Sequence, residues 1–252
     1  MQISLAEGGF RYISERWNAG IHASFARRIL LVKTEGEISV GGAVAGVYPG
    51  DLLYLLPEDV CCVSEGGAFE AACWYFEEGD LFGAGETAET VAGGVYPSAG
   101  QTEDVRALLK RAVARTDAVT AQEVLLARMM LSELLLHLPD CSPAPGDTGK
   151  IAAAVSYLTA HYTEDVSLDR LCDSVGISKF YLCRAFRRDT GLTPHAYLNL
   201  YRVLCAERLL RAGVGAMVCG ERVGYRDYTT FFRSYKRVVG SAPSASLTEA
   251  TV

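Results

Sequence analysis

The feature that most constrains this chain is an internal repeat of a short basic segment. Residues 178–188 recur in altered form 49 positions later, as residues 227–237. In each copy, two apolar residues four positions apart form one stripe, and a second stripe containing two cations follows i, i+3, i+4, i+7 spacing. Each copy therefore predicts one amphipathic helix with a buried face and an exposed basic face. Ser178 and Asp227 are favoured N-cap residue types for these helices.

Each basic helix is preceded by a second predicted helix that ends in a glycine. Residues 168–175 lead into Gly176 and residues 214–223 lead into Gly224, where a left-handed residue permits a tight turn. Helix, turn and basic helix together predict a helix-turn-helix motif, whose second helix enters the DNA major groove. Between the copies, residues 194–210 contain no glycine and no internal proline, which predicts one continuous helix.

The exposed stripes supply candidate contacts to double-stranded DNA. Arg184 and Arg233 can pair in bidentate fashion with guanine, whereas Arg187 and Lys236 are expected to meet phosphate. The full candidate set is Lys179, Phe180, Cys183, Arg184, Arg187, Tyr228, Thr229, Phe232, Arg233 and Lys236. The alternative is a solvated charged face without a ligand. Repetition of the same stripe in an internal copy favours DNA contact.

Charge is divided unevenly along the chain. The formal net charge of −6 is unfavourable for a DNA-binding protein. Residues 150–252, however, contain 14 Lys and Arg against 9 Asp and Glu, whereas residues 1–149 contain 10 against 21. Only the C-terminal part has the sign that phosphate contacts require, so the acidic part is expected to avoid DNA.

Residues 150–245 resemble the tandem DNA-binding domain of the AraC/XylS family of bacterial transcription regulators. The first-copy matches include Ser167-Leu168, Gly176-Ile177-Ser178, Leu182, Arg184, Arg187, Gly191, Pro194, Tyr197-Leu198-Asn199 and Arg202. The second-copy matches are Val223-Gly224-Tyr225, Asp227, Phe231-Phe232-Arg233, Lys236, Gly240 and Pro243. The resemblance implies a sequence-specific transcription regulator whose stripe side chains meet bases, with RNA polymerase as a further partner.

The second copy departs from the family pattern at two places. Cys219-Gly220 stands where the family has an aliphatic residue and an alanine, and Ser246-Leu247 stands where an aromatic-arginine pair closes the domain. A glycine inside a helix costs about 1 kcal/mol. The second motif is therefore expected to be less stable, or to bind more weakly, than the first.

The N-terminal part predicts a β domain. Turn-forming residues separate short β-rich runs at residues 28–33, 37–41, 52–56, 61–64 and 69–76, which favours a sandwich or barrel of the jelly-roll type. The run 35–57, with its Tyr48-Pro49-Gly50-Asp51 turn, resembles the cupin-like barrel of many AraC-type regulators. This resemblance implies a small-molecule effector site near Cys61, Val63, Ala71 and Cys73. The alternative is a structural role for all four.

The middle of the chain predicts a loop at residues 81–98 and helices at residues 102–115 and 120–138. The second helix is apolar over most of its circumference, which predicts burial on two sides and a homodimer; a monomeric core is the alternative. The expected fold is α+β with two domains: a cupin-like barrel (1–98) with trailing helices (99–138), a proline-rich linker (139–149) and an all-α tandem helix-turn-helix domain (150–252).

Cysteine and histidine spacing gives no metal-site pattern. The eight cysteines contain no C-x-x-C pair, which favours reduced core thiols and predicts no cofactor, no bound metal and no catalytic centre. Two alternatives remain: a cupin-type enzyme, which would need metal ligands, and a thiol sensor using Cys61, Cys62 and Cys73. The lack of a signal-peptide pattern or of an apolar run of about 18 residues predicts a cytoplasmic protein without a membrane segment.

Overall fold

The computed structural model describes residues 3–6, 10–64, 67–82, 85–91, 93–113, 120–141 and 149–245. A β domain is followed by two helices that pack on it and by an all-helical C-terminal domain. The predicted two-domain α+β architecture is therefore confirmed. Ser246, Leu247 and most of the predicted linker lie outside the described residues.

The β domain consists of two five-stranded sheets. The strands are β1 (Ile3–Ala6), β2 (Arg11–Trp17), β3 (Gly20–Ser24), β4 (Arg27–Val32), β5 (Gly36–Val40), β6 (Ala43–Val47), β7 (Leu52–Leu55), β8 (Cys61–Val63), β9 (Phe69–Phe76) and β10 (Gly94–Tyr96). The first sheet has the order β1-β3-β8-β5-β6, and the second has the order β10-β7-β4-β9-β2. Paired strands are antiparallel except β1 and β3.

Apolar side chains from both sheets form the core of the β domain. Ile38 and Cys61 of the first sheet, and Leu30, Leu53 and Phe69 of the second, are at most 1% exposed and belong to one buried cluster. Successive residues of a strand point to opposite faces, so each sheet also presents an outer face to other elements.

Two expectations for the β domain are wrong. The predicted barrel is not closed, because no strand pair joins the two sheets within the described part of the chain. The predicted loop over residues 81–98 contains helix α1 (Gly85–Thr90) and strand β10, which pairs with β7 and buries Tyr96. A three-residue strand is too short to show a periodic pattern, and its pairing is decided by a distant segment.

Helices α2 (Glu103–Val113) and α3 (Ala121–His137) pack on the outer face of the second sheet. A capping box starts α3, because the Thr120 hydroxyl accepts from the Glu123 N–H while the Glu123 carboxylate accepts from the Thr120 N–H. The inner face of α3 contributes Leu131, Leu134 and Leu135 to the buried cluster, and its outer face exposes Leu125, Met129 and Leu136 by 46–52%.

The C-terminal domain is built around one long helix. Its helices are α4 (Lys150–Ala160), α5 (Leu168–Val175), α6 (Lys179–Thr190), α7 (Pro194–Arg211), α8 (Ala216–Arg222) and α9 (Tyr228–Val239). The first half of α7, including Tyr197 and Leu204, packs in one core with α4, α5 and α6. Its second half, including Ala206 and Leu210, packs in another core with α8 and α9. Helix α7 therefore contributes side chains to the cores of both repeats.

The two domains share part of their core. Ile21 of β3 and Val60 lie in the same buried cluster as residues of α4 to α7. At the edge of this contact, Arg208 Nη1 lies 2.6 Å from Glu58 Oε1. The acidic β domain therefore lies directly against the basic helical domain.

Gly220, where the second repeat departs from the family, packs against Phe231. A Cβ atom added at Gly220 would lie 3.0 Å from Cγ and Cδ1 of the Phe231 ring. In the first repeat, the smaller Leu182 stands in place of Phe231 and Cys172 stands in place of Gly220. The glycine makes room for the larger ring, so packing offsets part of its poor helix propensity.

This packing predicts that Gly220→Ala alone raises the free energy of unfolding by less than the roughly 1 kcal/mol expected from the higher helix propensity of alanine, because the Phe231 ring must move. Gly220→Ala combined with Phe231→Leu should show favourable coupling of about 0.5–3 kcal/mol in a double-mutant cycle. Urea unfolding of the four proteins measures the free energies. Additive effects of the two substitutions would contradict the packing explanation.

Candidate nucleic-acid interface

The two basic helices begin at the predicted capping residues. Ser178 Oγ accepts a hydrogen bond from the Tyr181 N–H at 3.3 Å, and Asp227 Oδ1 accepts one from the Thr230 N–H at 2.8 Å. These backbone and side-chain hydrogen bonds from Thr230 lower the pKa of Asp227. A charged carboxylate at this place is also favoured by the helix dipole.

Glycine turns precede both helices, as predicted. Gly176 and Gly224 have φ angles of +67° and +88°, in the left-handed region that favours glycine. At Gly224 a Cβ atom would also lie 2.6 Å from the Thr163 carbonyl oxygen, so a larger residue does not fit. The second turn is one residue longer than the first, since two residues lie between Gly224 and Asp227 and one lies between Gly176 and Ser178.

The predicted apolar stripes anchor the two helices in separate cores. Leu182 and Phe186 of α6 are fully buried, and so are Phe231 and Tyr235 of α9. Phe186 meets Tyr197 edge-on, with ring centroids 5.6 Å apart. Because one face of each helix is fixed in this way, the opposite face must point away from the core.

The opposite faces carry the predicted contact residues. Nine of the ten are exposed: Lys179, Phe180, Cys183, Arg184, Arg187, Tyr228, Thr229, Arg233 and Lys236. Phe180 is 78% exposed, an unusual state for a large apolar side chain on a soluble helix. The structure thus brings these side chains to the free surfaces of α6 and α9.

Phe232 is the exception, because it is partly buried and not exposed as expected. Its ring lies beside Tyr228, with centroids 6.1 Å apart. The equivalent residue of the first repeat, Cys183, is small and exposed. A phenyl ring at this position reaches the preceding turn of its own helix, and helical spacing alone did not indicate that contact.

Four cations on these faces form no salt bridge with any described residue: Arg184, Arg187, Arg233 and Lys236. Lys179 differs, because its Nζ lies 2.6 Å from Asp169 Oδ1, and the hydrogen bond raises the pKa of the Lys179 ammonium. Exposed cations without internal partners are available to an anionic polymer.

A cleft of about 830 Å³ beside α9 adds two arginines that the sequence prediction missed, Arg226 and Arg237. Arg226 forms an ion pair with Asp165. Arg237 is exposed and stands at the repeat position of Arg188, so the internal alignment contained a signal for it. The basic surface of the second repeat is therefore wider than the predicted stripe.

The four predicted effector residues lie between the sheets. Cys61, Val63, Ala71 and Cys73 are at most 1% exposed within the core of the β domain. Arg28, which the sequence prediction missed, is also buried there, and its guanidinium donates to the Asp59 carbonyl at 3.0 Å. A ligand at this place would have to displace packed side chains, and the effector role of the four residues stays a prediction.

The buried cysteines are not poised for thiolate chemistry. Burial raises the pKa of Cys61 to about 12 and also raises that of Cys73. Within the described ranges, no three His, Cys, Asp or Glu side chains are grouped to hold a metal ion. The described helices also include none that is long and apolar enough to cross a membrane.

Comparison with known proteins covers mainly the C-terminal domain. Residues 171–248 match the family described as "Helix-turn-helix domain". The chain is 32% identical over 101 residues to the uncharacterized HTH-type transcriptional regulator YbfI of Bacillus subtilis, covering 39% of this chain and 37% of that protein. It is 30% identical over 125 residues to the MmsAB operon regulatory protein of Pseudomonas aeruginosa, covering 49% and 41%.

Among solved structures, a probable AraC family transcriptional regulator from Rhodopseudomonas palustris CGA009 is 25% identical, with a TM-score of 0.38, over 40% of this chain and 96% of that one. The matches to the two curated relatives above span less than half of either protein. The fold and the site define a helix-turn-helix protein. Residues 171–248 thus match a helix-turn-helix family, and the motif residues described above are similar to those of AraC family regulators.

Proposed function

We propose that this chain is a sequence-specific, DNA-binding transcriptional regulator. The observation that carries the proposal is the repeated exposed face on α6 and α9, with cations that have no described ion-pair partner. Both helices follow a left-handed glycine turn and are anchored by buried residues, as a recognition helix requires. The basic charge of residues 150–252 supports the same partner.

Each repeat supplies one arginine suited to base reading and one cation suited to phosphate. Arg184 and Arg233 occupy equivalent positions near the middle of their helices and can pair with guanine O6 and N7. Arg187 and Lys236 lie one turn further on, where they can meet the phosphate backbone. Phe180 and Thr229 offer apolar contact to a thymine methyl group.

The length of α7 supports reading of two half-sites by one chain. Its 18 residues give a rod of roughly 27 Å. Successive major-groove faces are about 34 Å apart. Since α6 packs on the first half of α7 and α9 on the second half, we infer that the two helices can reach neighbouring turns of one duplex.

We also infer a homodimer that forms through α3. Its outer face exposes Leu125, Met129 and Leu136 in one row, while its inner face is already buried on the second sheet. A second copy of α3 would cover this row. Two chains would then present two DNA-binding domains.

A regulatory role also implies an effector, a cellular location and a further protein partner. The β domain, which resembles a cupin fold, would bind a small-molecule effector, with Cys61, Val63, Ala71 and Cys73 as the predicted residues. The effector changes DNA binding only if its affinity differs between two states of the protein. A cytoplasmic location and contact with RNA polymerase would accompany this role.

No observation favours the two alternative functions over regulation. A cupin-type enzyme would need a group of metal ligands, and the described residues contain none. A thiol sensor would need accessible cysteines of low pKa, whereas Cys61 and Cys73 are buried with raised pKa values.

The base-reading assignment predicts that Arg184→Ala and Arg233→Ala each weaken binding to a selected operator by about 1–3 kcal/mol. Fluorescence anisotropy with an operator selected from genomic fragments measures the affinities. Arg187→Ala and Lys236→Ala should instead reduce the slope of log affinity against log salt by about 0.9 each.

Arg16→Ala is the matched control, because Arg16 is exposed on β2 of the acidic domain. It should leave affinity and salt slope unchanged. Equal affinity of Arg184→Ala or Arg233→Ala and the parent would exclude that residue as a base reader.

The dimer assignment predicts that Met129→Glu converts the protein into a monomer, because a carboxylate would be buried in the interface. Ala107→Glu, on an exposed position of α2, is the matched control and should stay dimeric. Light scattering at micromolar concentration measures the mass. A monomeric parent, or a dimeric Met129→Glu variant, would refute the dimer.

A further inference from the structure

A cavity of about 250 Å³ lies between the outer face of the second sheet and the helices α2 and α3. Its sheet wall consists of Phe10, which precedes β2, Tyr12 of β2 and Trp74 of β9. Tyr12 and Trp74 are directly opposite each other on paired strands, and their ring centroids are 5.1 Å apart. This wall of the cavity is therefore aromatic.

The helix wall of the cavity is apolar as well. Leu108 and Ala112 of α2 belong to it, and α3 contributes residues of its inner face: Val124, Ala127, Met130, Leu131 and Leu134. Leu131 and Leu134 are at most 4% exposed, whereas Val124 and Ala127, nearer the start of α3, are partly exposed. The start of α3 therefore covers a space that its own side chains do not fill, and this end of the cavity is open to solvent.

The size of the cavity suits a small ring compound. Protein interiors are close-packed, and few of their voids are larger than a water molecule. An apolar cavity offers water few hydrogen-bond partners, and one of about 150 Å³ is large enough to bind benzene. At about 250 Å³, this cavity has room for a substituted benzene ring or for two fused rings.

Arg11 is the charged residue of the described lining, and its guanidinium contacts another group. Its Cζ lies 4.3 Å from the centroid of the Tyr75 ring, which belongs to the core between the two sheets. Arg11 and Tyr75 are opposite each other in register, next to the Tyr12 and Trp74 pair, so the two pairs point to opposite faces of the sheet. An ionised ligand would lose its hydration in the cavity without gaining a charged partner, which disfavours it.

We propose that this cavity binds a small neutral aromatic compound of one or two rings, such as an alkylbenzene or an indole. The rings of Tyr12 and Trp74 can pack against an aromatic ligand, and the Met130 thioether can contact the edge of its ring. Burial of the apolar surface of the ligand supplies most of the binding free energy. The described lining includes no residue of the C-terminal domain and none of the four predicted effector residues.

Binding to this cavity does not rest on the proposed regulatory function, but its consequence for assembly does. The inner face of α3 lines the cavity, while its outer face carries Leu125 and Met129 of the proposed dimer interface. A bound ring would hold the start of α3 against the sheet. It would thereby stabilise the surface that a second copy covers, so that ligand binding and dimer formation are linked.

Thermal unfolding and calorimetric titration of the full chain test the site. The probes are toluene, indole and naphthalene, and their ionised counterparts are benzoate, indole-5-carboxylate and 2-naphthoate. At least one neutral probe should raise the Tm by about 3 °C or more at roughly ten times its Kd. The carboxylate of the same ring system should bind at least tenfold more weakly, because its charge has no partner in the cavity.

Two substitutions that fill the cavity locate the bound probe. Ala127→Leu adds volume from α3 and Ala112→Leu adds it from α2, so each should raise the Tm of the free protein and weaken binding of the active probe at least tenfold. Having both variants keeps the test valid if one of them does not fold. Ala107→Leu, at an exposed position of α2, is the matched control and should leave probe affinity unchanged.

Three outcomes overturn the proposal: no neutral probe binds the parent, the carboxylate binds as tightly as its neutral counterpart, or the folded cavity-filling variants bind the probe as tightly as the parent. Light scattering and operator titration of the same preparations report assembly and DNA binding separately. A dimer that binds operator but no probe would refute only the cavity. A monomeric parent that binds the probe would refute the dimer and leave the cavity in place.

Discussion

The burial of α7 between two cores is the packing on which the rest of the structure depends. Tyr197 and Leu204 fix one side of the helix to the first repeat, and Leu210 fixes the other end to the second. Thr193 caps its first turn and Pro194 occupies the adjoining position, so its start is set by local chemistry. Because α6 and α9 pack on the same rod, a bend in α7 would move one basic helix relative to the other.

A buried carboxylate on α7 extends this dependence to the β domain. Glu207 is 3% exposed; it accepts from Arg211 Nε at 2.9 Å and from the Tyr235 hydroxyl of α9. Arg211 also donates from Nη1 to Glu77 of the β domain at 2.8 Å. A buried carboxylate needs such partners, so the second basic helix, α7 and the β domain are held by one network. The β domain, which carries no predicted DNA-contact residue, is thereby connected to the helix that presents the contact residues of the second repeat.

The sequence predicted those parts of the fold that local chemistry specifies. The bounds of α5 and the caps of α6 and α9 follow from Ser178, Asp227 and the left-handed Gly176, whose effects act within a few residues. Strand β2 and the contact between domains were missed, because they depend on pairing with distant segments. The predicted exposure of Phe232 was wrong for a related reason. Helical spacing placed this residue on the exposed stripe, but its ring packs back towards its own helix.

The central claim is that α6 and α9 of one chain read two half-sites on the same duplex. The most direct measurement compares anisotropy titrations of the full chain on the selected operator and on a version with about 5 bp inserted between the half-sites, which rotates one groove by half a turn. We predict that this half-turn insertion lowers the specific affinity to the level of a single half-site. An insertion of about 10 bp restores the orientation of the groove but lengthens the distance between the half-sites, so it restores part of the affinity only if the chain can span that distance. Unchanged affinity after the half-turn insertion would contradict the claim.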